Sequence, residues 1–293
     1  MSSQPESSQS SHVSDIVDRN KTYFNEIAES YDTHPMRSMI GRKCGEAIIR
    51  EYGHLFDANT TEVMDFACGT GLVSEKLASH SKYILGVDAS QGMADVYNQK
   101  CWQQGIDKKE MEAVCQMLTE EASEKGDQLN GKRFDIIVCS SSYHHFSSPQ
   151  DITRILASYL KPSGHLIVLD LKYDKETSHV FHSRSNHDDH LHKHEDGKHN
   201  DAVASPNKHE NGKHNDAVAS PNLHVHNHED GGHVIDTIAH RGGFKLEDVK
   251  SVFENTSVLD DIRVEIAFTF EKFIESDQKS YEFEYWIASG RKF

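Results

Sequence analysis

The sequence predicts an α/β fold, a mostly parallel sheet with helices on both faces, and two observations support this prediction. First, residues 63–66 have the pattern of a buried apolar strand, which continues through a glycine turn into an amphipathic segment at 72–77. Second, apolar strand-like runs and helical patterns alternate from Thr61 to Asp170. This alternation is typical of parallel strands joined by crossover helices.

The glycine turn and the strand after it predict a nucleoside site. Gly69 and Gly71 allow positive φ angles and let the backbone come close to a ligand. The next apolar run, residues 83–87, ends in Asp88. A carboxylate at this position, beside the glycine turn, can accept hydrogen bonds from both hydroxyls of a ribose.

Two residues indicate which nucleoside is bound. A dinucleotide fingerprint has a third glycine three positions after the second, and this chain has Ser74 there. Asp65, within the first strand, has no role in binding a pyrophosphate. It suits a cationic ligand, such as the ammonium and sulfonium groups of S-adenosylmethionine. By itself, the glycine turn also fits an ordinary connection between a strand and a helix.

Four ordered segments carry a family resemblance. They are Tyr-Phe-Asn-Glu-Ile-Ala-Glu-Ser-Tyr-Asp at 23–32, Asp-Phe-Ala-Cys-Gly-Thr-Gly at 65–71, Gly-Val-Asp-Ala-Ser-Gln-Gly-Met at 86–93, and the strand–helix–strand pattern over 134–170. The chain resembles the class I S-adenosylmethionine-dependent methyltransferases, in particular the small-molecule methyltransferase-domain branch that includes the ubiquinone-biosynthesis type. The resemblance covers roughly residues 21–170 and resumes near residue 233. It implies a Rossmann-like, seven-stranded, mostly parallel sheet with an antiparallel edge strand, and S-adenosylmethionine as the cofactor.

The resemblance also implies which residues bind the cofactor. They are Asp65, Ala67, Cys68, Gly69, Thr70 and Gly71 in the loop, Asp88, Ala89 and Met93 in the ribose turn, Gln116 and Met117 after the third strand, and Ser140 after the fourth. The third strand departs from the family, because Gln116 and Met117 stand where an acid often accepts the adenine amino group. The Gln116 carbonyl or a backbone group could accept that bond, with Met117 packing on the ring. Alternatively, the alignment is shifted by one or two residues.

Composition favours a small-molecule acceptor. The formal net charge is −16 and no Lys/Arg-rich run occurs, whereas a nucleic-acid substrate usually requires a basic surface. The five cysteines are scattered without metal-ligand spacing, so we expect no metal site among them. No apolar run reaches membrane-spanning length, and the N-terminus lacks the apolar core of a signal peptide. We therefore expect a cytoplasmic enzyme with no membrane partner, and the nucleus is the alternative compartment.

The chain divides into four parts by composition and pattern. Residues 1–14, rich in Ser, Gln and Glu, are predicted to be a disordered tail. Residues 15–172 are predicted to form the methyltransferase core, beginning with helices near 15–31 and 38–52. Residues 173–232 are an insertion. Residues 233–293 are predicted to complete the fold, with a helix near 234–241, strands near 244–253 and 281–289, and a strand or substrate-side cap over 263–273.

The insertion is His-rich and of low complexity, and we expect it to be disordered. Thirteen of the 21 histidines lie in residues 173–233, His233 included, and a 15-residue unit at 194–208 recurs at 209–223 with two changes. Such a unit contains too few apolar residues to form a core. Imidazoles beside Asp and Glu suit divalent metals, but the alternating histidines at 224–228 do not match a closed zinc site. We favour a solvated, duplicated loop that binds divalent metal only adventitiously.

Candidates for catalysis follow the fourth strand, where the methyl group of the cofactor should lie. His144 or His145 is the expected base for a hydroxyl or acidic carbon, while the other histidine packs against the next helix. We expect Tyr23, Tyr31, Tyr143 and Asp170 to form the substrate pocket, although core aromatics or a capping acid would give the same pattern. The predicted function is methyl transfer to a small organic acceptor. The alternatives are a protein or RNA methyltransferase, and a non-catalytic protein that binds S-adenosylmethionine or metal on the same scaffold.

Overall fold

The computed structural model describes residues 7–119, 128–181, 238–240, 242–275 and 278–293. The strands are β1 Glu62–Phe66, β2 Tyr83–Asp88, β3 Met111–Cys115, β4 Phe134–Ser140, β5 Leu160–Leu171, β6 Leu259–Ile274 and β7 Lys279–Lys292. Together they form a seven-stranded sheet of order β3-β2-β1-β4-β5-β7-β6. Strands β1 to β5 are parallel, and β7 is antiparallel to both of its neighbours. The predicted α/β class and mostly parallel sheet are confirmed, and the antiparallel strand lies second from the edge.

Three of the helices in the described ranges begin after a residue whose side chain caps the first turn. The helices are α1 Ser7–Ile27, α2 Pro35–Tyr52, α3 Ser74–Leu77, α4 Gln91–Gln103, α5 Pro149–Ser158 and α6 Leu246–Glu254. The side chains of His34, Ser90 and Ser148 each accept a backbone N–H from the first turn of α2, α4 and α5. Pro35 and Pro149 occupy the first helical positions, where the missing N–H has no intrahelical partner to lose.

The core lies on both faces of the sheet, because side chains along a strand alternate between faces. On one face Val63, Ile84 and Ile136 pack with α2 and α4. On the other face Met64 and Ile137 pack with α5 and α6. The register pairs Asp65 with Gly86 of β2 and with Val138 of β4, so the carboxyl ends of these strands meet at one edge of the sheet. A ligand site in such a sheet is expected at this edge.

The N-terminal helix is longer than predicted. α1 begins at Ser7, and so residues 7–14 of the predicted tail belong to the helix, while residues 1–6 lie outside the described residues. Ser and Gln are tolerated in helices, and a polar composition alone therefore does not mark where a helix starts. After α1, the chain continues as a 3₁₀-helix, Ala28–Thr33, directly into α2.

The predicted strand at 244–253 is wrong, since most of it is helix α6. Val249 and Phe253 are buried at a spacing of four, and Glu247 and Asp248 in the first turn complement the helix dipole. The Val and Phe residues suggested a strand, but their helical spacing against the sheet decided the structure. The apolar stretch at 263–273 is part of β6, which resolves that alternative as a strand.

Two predicted segments lie mainly outside the residues that the structure describes. The His-rich insertion is described only over 173–181, and the helix expected near 234–241 only at 238–240, where the backbone is not helical. β7 pairs with β5, so the C-terminal segment completes the sheet that the preceding segment begins. Within the described ranges, no helix is both long enough and apolar enough to cross a membrane.

Candidate cofactor and acceptor site

A cavity of about 1520 Å³ lies at the carboxyl ends of β1, β2 and β4. A large part of its wall comes from residues 16–41, which we call the cap and which comprise most of α1, the 3₁₀-helix and the start of α2. The cavity brings together the predicted cofactor residues, with the exception of Gly71, and both predicted catalytic histidines, His144 and His145. Tyr23 and Tyr31 also line it, as predicted.

The glycine turn adopts the left-handed backbone that the sequence predicted. Gly69 has φ of +52° and Gly71 has φ of +89°, and the non-glycine Ala67 has φ of +55°. A Cβ on Gly69 would meet no atom within 4 Å, whereas on Gly71 it would lie 2.7 Å from the Tyr97 ring. Gly69 therefore leaves space open for a ligand, and Gly71 lets the turn pack on the core.

Asp88 is fixed by the turn that it was expected to serve. Its two carboxylate oxygens each accept one backbone N–H, from Gly69 and from Ser90, both at 2.8 Å. Burial raises the pKa of Asp88, and these hydrogen bonds offset only part of the rise. Since each oxygen has a further lone pair, the carboxylate retains the capacity to accept ribose hydroxyls.

Asp65 is almost completely buried under the turn. Its exposed fraction is 1%, and the Ser74 hydroxyl donates to it at 2.6 Å. Burial raises the pKa of Asp65 to about 7, because only hydrogen bonds from Ser74 compensate the lost hydration. A cation in the cavity would favour the ionised form, which agrees with the expected cationic ligand.

The end of β3 supplies the residues proposed for adenine. The Gln116 N–H donates to the Asp88 carbonyl at 2.8 Å, and the Gln116 side-chain amide donates to the Met117 carbonyl. Met117 is 43% exposed, while Met93 of α4 is buried. These three side chains line one region of the cavity, and their role toward adenine stays a prediction.

His144 and Asp170 form a buried pair. The Nδ1 atom of His144 lies 2.8 Å and 3.0 Å from the two Asp170 oxygens, and the His144 backbone N–H also donates to this carboxylate. Burial alone would raise the pKa of Asp170, but His144 and the hydrogen bonds from His144 and Leu171 hold it below its usual value. An ionised Asp170 fixes Nδ1 as the protonated ring nitrogen, so Nε2 is the nitrogen that can accept a proton.

Two expected pocket residues lie behind the cavity wall. Asp170 is fully buried and contacts His144, so it supports the candidate base and does not contact an acceptor. Tyr143 is 2% exposed, and its hydroxyl pairs with Thr153 of α5 at 3.0 Å. The positive φ of Ser141, +53°, redirects the chain after β4, and Tyr143 packs into the core.

Several residues of the site were not predicted. Arg37 of the cap lines the cavity, lies over the Tyr31 ring and donates to the Tyr23 hydroxyl, and within the described ranges it forms no ion pair. Asn25 accepts hydrogen bonds from the Ser90 hydroxyl and the Gly92 N–H. Asn25 lies 65 and 67 positions before its two partners, and no local motif marks either residue.

The cavity fits a polar ligand. The Ser140 hydroxyl and the Asn20 side-chain oxygen are buried in its wall, and neither has a hydrogen-bond partner among the described residues. Such buried polar atoms are normally satisfied, so both atoms are available to hydrogen-bond a ligand or a water in the cavity. Together with the open space at Gly69 and the acids Asp65 and Asp88, they suit a nucleoside with a cationic end.

Comparison with known proteins identifies the family. Residues 64–168 match the model of the methyltransferase domain family. An uncharacterised methyltransferase of Schizosaccharomyces pombe is 42% identical over 197 residues, which cover 57% of this chain and 69% of that protein. A ubiquinone biosynthesis O-methyltransferase of Coxiella burnetii is 35% identical over 104 residues, 36% of this chain and 41% of the relative. The chain thus spans less than half of that second relative.

Solved structures share the fold. Magnesium protoporphyrin IX methyltransferase of Synechocystis, solved with bound SAH, superposes with a TM-score of 0.53 at 15% identity, covering 95% of this chain and all of that one. An S-adenosylmethionine-dependent methyltransferase of Clostridium acetobutylicum gives a TM-score of 0.50 at 17% identity, with coverage of 92% and 98%. These two likenesses show the fold, and the methyltransferase family of the sequence matches, together with the site geometry, assigns S-adenosylmethionine as the cofactor. The chain belongs to the S-adenosylmethionine-dependent methyltransferases of the methyltransferase-domain family.

Proposed function

We propose that this methyltransferase acts on a hydroxyl group of a small, largely apolar organic acceptor, with His144 as the general base. The observation that carries the proposal is His144 in the wall of the cofactor cavity, paired with the buried Asp170 behind that wall. An amine acceptor need only arrive deprotonated, whereas a hydroxyl needs a base within reach. The ubiquinone biosynthesis O-methyltransferases among the relatives, by their name, also transfer methyl to oxygen.

The cavity is large enough for two ligands. Its volume of about 1520 Å³ exceeds the roughly 300–1,000 Å³ that usually holds one ligand. Phe24, Tyr31 and Phe146 contribute aromatic surface to the wall, and the Phe24 ring meets His145 edge-on with centroids 5.3 Å apart. This wall suits a flat or apolar acceptor better than a nucleic acid.

The residues that would hold S-adenosylmethionine are complementary to its charges. Asp88 would accept the ribose hydroxyls, Asp65 would face the cationic end, and Arg37 is the candidate for the carboxylate. When bound, the cofactor supplies a methyl group on a sulfonium that leaves as a neutral thioether. The contribution of the protein is therefore mainly orientation, which can lower a barrier by about 7–11 kcal/mol.

His144 is proposed to take the proton of the acceptor hydroxyl on Nε2. Asp170 accepts a hydrogen bond from Nδ1–H and stabilises the imidazolium that forms, as a buried carboxylate does for a histidine base. His145, the second predicted candidate, lies against His144 with ring centroids 4.2 Å apart and the ring planes tilted by 39°, and it is proposed to contact the acceptor. The proton then leaves to solvent from His144 when product departs.

The test compares His144→Gln with the matched neighbour His145→Gln in a screen of pooled phenols, other hydroxylated aromatics and amines. We expect His144→Gln to lower turnover by about 10²–10⁴-fold at unchanged S-adenosylmethionine affinity, because that is the usual contribution of a general base. His145→Gln should lose far less. Wild-type turnover by His144→Gln, or methylation of amines alone, would contradict the proposal.

A protein or RNA acceptor is the alternative to the small molecule, and adding cell protein and RNA to the same screen tests it. Cytoplasmic location and adventitious metal binding by the His-rich insertion also stay predictions. Neither bears on the residues of the cavity.

A further inference from the structure

The cap is attached to the cofactor loop through one carboxylate that the proposed chemistry does not use. Asp32, in the 3₁₀-helix of the cap, accepts the Thr70 hydroxyl on Oδ1 at 2.5 Å. Its second oxygen accepts from the Lys100 ammonium at 2.7 Å. Thr70 is the central residue of the Gly-Thr-Gly turn and is 2% exposed. A cap residue therefore determines the side-chain position of the residue between the two functional glycines.

Lys100 of α4 makes this connection a network. Its ammonium also donates to the Thr70 carbonyl at 3.0 Å and pairs with Glu75 at 2.6 Å. Burial would lower the pKa of Lys100, but the hydrogen bonds and charges of Asp32 and Glu75 raise it overall. The Lys100 ammonium therefore stays charged. It holds the Thr70 side chain through Asp32, and it holds the Thr70 backbone carbonyl directly.

A second connection joins the cap to the ribose turn. Asn25 accepts from the Ser90 hydroxyl at 2.7 Å and from the Gly92 N–H at 2.9 Å. A Cβ on Gly92 would lie 3.1 Å from the Asn25 carbonyl and 3.2 Å from the Ala28 Cβ, so the cap rests directly on α4 here. The cap is thus bonded to both loops that flank the cofactor, while its other face lines the cavity.

We propose that Asp32 is a positioning residue for cofactor binding: it couples closure of the cap to the conformation of the Gly69–Thr70–Gly71 turn through Thr70 and Lys100. The turn is held in its left-handed conformation only while the cap is seated, and the cap, which also carries Tyr31 and Arg37, is seated only while the turn is formed. Cofactor affinity and cap order therefore change together. The proposal concerns the cofactor and is independent of the acceptor and of His144.

The chain offers a matched control for this proposal. Asp32 and Glu75 both pair with Lys100, at 2.7 Å and 2.6 Å, and both side chains are 31% exposed. Only Asp32 belongs to the cap. Asp32→Asn retains an oxygen for the Thr70 hydroxyl and removes the charge that Lys100 contacts, and Glu75→Gln removes the equivalent charge on the core side.

We would measure S-adenosylmethionine affinity by calorimetry, the free energy of unfolding in urea, and hydrogen exchange of residues 28–33 with and without cofactor. Asp32→Asn is expected to weaken cofactor binding about 5- to 30-fold, the effect of losing a charge-assisted hydrogen bond. In this variant, cofactor should no longer protect residues 28–33. Glu75→Gln should lower stability to a similar extent but change cofactor affinity less than twofold.

Equal effects of the two variants on cofactor affinity would overturn the proposal, because Asp32 would then act only through general stability. Unchanged cofactor protection of residues 28–33 in Asp32→Asn would overturn it too. Should Asp32→Asn fail to fold, Asp32→Glu keeps the charge and displaces it by one methylene, and the same comparison applies. Affinity equal to wild type in Asp32→Glu, with the turn contact displaced, would also argue against a positioning role.

Discussion

Gly69 and Gly71 have positive φ for different reasons, and replacing each by alanine separates the two. An alanine in the left-handed region costs about 1–2 kcal/mol, which applies to both positions. At Gly71 the new methyl would also lie 2.7 Å from the Tyr97 ring, which is 1% exposed and cannot move aside. Overpacking of this kind costs about 1–3 kcal/mol more. We therefore expect losses of about 1–2 kcal/mol for Gly69→Ala and about 2–5 kcal/mol for Gly71→Ala.

The two variants should rank the other way in cofactor affinity relative to their loss of stability: Gly69→Ala loses less stability but more affinity for each kcal/mol of stability lost. The Gly69 methyl would project into cavity space where the structure has no protein atom within 4 Å. If that space is where the cofactor lies, Gly69→Ala weakens its binding by about 5- to 150-fold, the factor that corresponds to an overpacking cost of about 1–3 kcal/mol. Gly105→Ala is the control, since Gly105 has φ of +72°, open surroundings and no place in the cavity wall.

Urea denaturation without cofactor gives the stabilities, and calorimetry with S-adenosylmethionine gives the affinities. Gly105→Ala should lose about as much stability as Gly69→Ala and bind the cofactor like wild type. Wild-type affinity in Gly69→Ala would refute the reasoning, because the open space at Gly69 would then not be the cofactor site. Equal stability losses in Gly69→Ala and Gly71→Ala would refute the packing argument.

Further predictions concern stability and the cap. The pKa of Asp65 is raised to about 7, so between about pH 4 and 7 the folded chain keeps a proton that the unfolded chain has lost. Stability therefore falls as pH rises through this window, and Asp65→Asn should flatten the fall in urea titrations at pH 5 and 7.5. Tyr143→Phe should cost about 1 kcal/mol through its lost bond to Thr153 and leave turnover unchanged, because Tyr143 lies behind the wall. Phe253→Ala, in the core under α6, should cost about 3–5 kcal/mol in the same denaturation assay. Gly92→Ala should weaken S-adenosylmethionine binding in calorimetry without lowering the unfolding midpoint, since its methyl meets the cap and not the core.

The sequence predicted those parts of the site in which a residue and the pattern that identifies it are neighbours along the chain. Gly69 and Gly71 are needed where the backbone has positive φ, and Asp88 follows an apolar strand, so each signal lies within a few residues of its function. The strand misassigned at 244–253 shows the limit of such signals. Val249 and Phe253 have high strand propensity, which favoured a strand. Their spacing of four fits a helix, but only the sheet that α6 packs against shows that this face is the buried one.

Tertiary position explains the other differences. Tyr143 follows β4 like the histidines, but the left-handed Ser141 redirects the chain, and serine at positive φ carries no sequence signal. Asn25 and Asp32 bond to residues 38 to 68 positions away. Such contacts depend on how the cap folds back on α4, which periodicity and composition do not encode.

Asp65 and Asp170 show how the fold assigns different charge states to two equally buried acids. Each is the last residue but one of its strand, Asp65 in β1 and Asp170 in β5, and their exposed fractions are 1% and 0%. The main side-chain partner of Asp65 is the hydroxyl of Ser74, which cannot replace the lost hydration, and its pKa rises. Asp170 instead meets the imidazole of His144 and two backbone N–H groups, and its pKa falls. The lowered pKa keeps Asp170 ionised at neutral pH, so it can orient His144, the proposed base, before an acceptor arrives. At the opposite end, a cationic ligand beside Asp65 would favour the ionised form of this carboxyl, as we expect for S-adenosylmethionine.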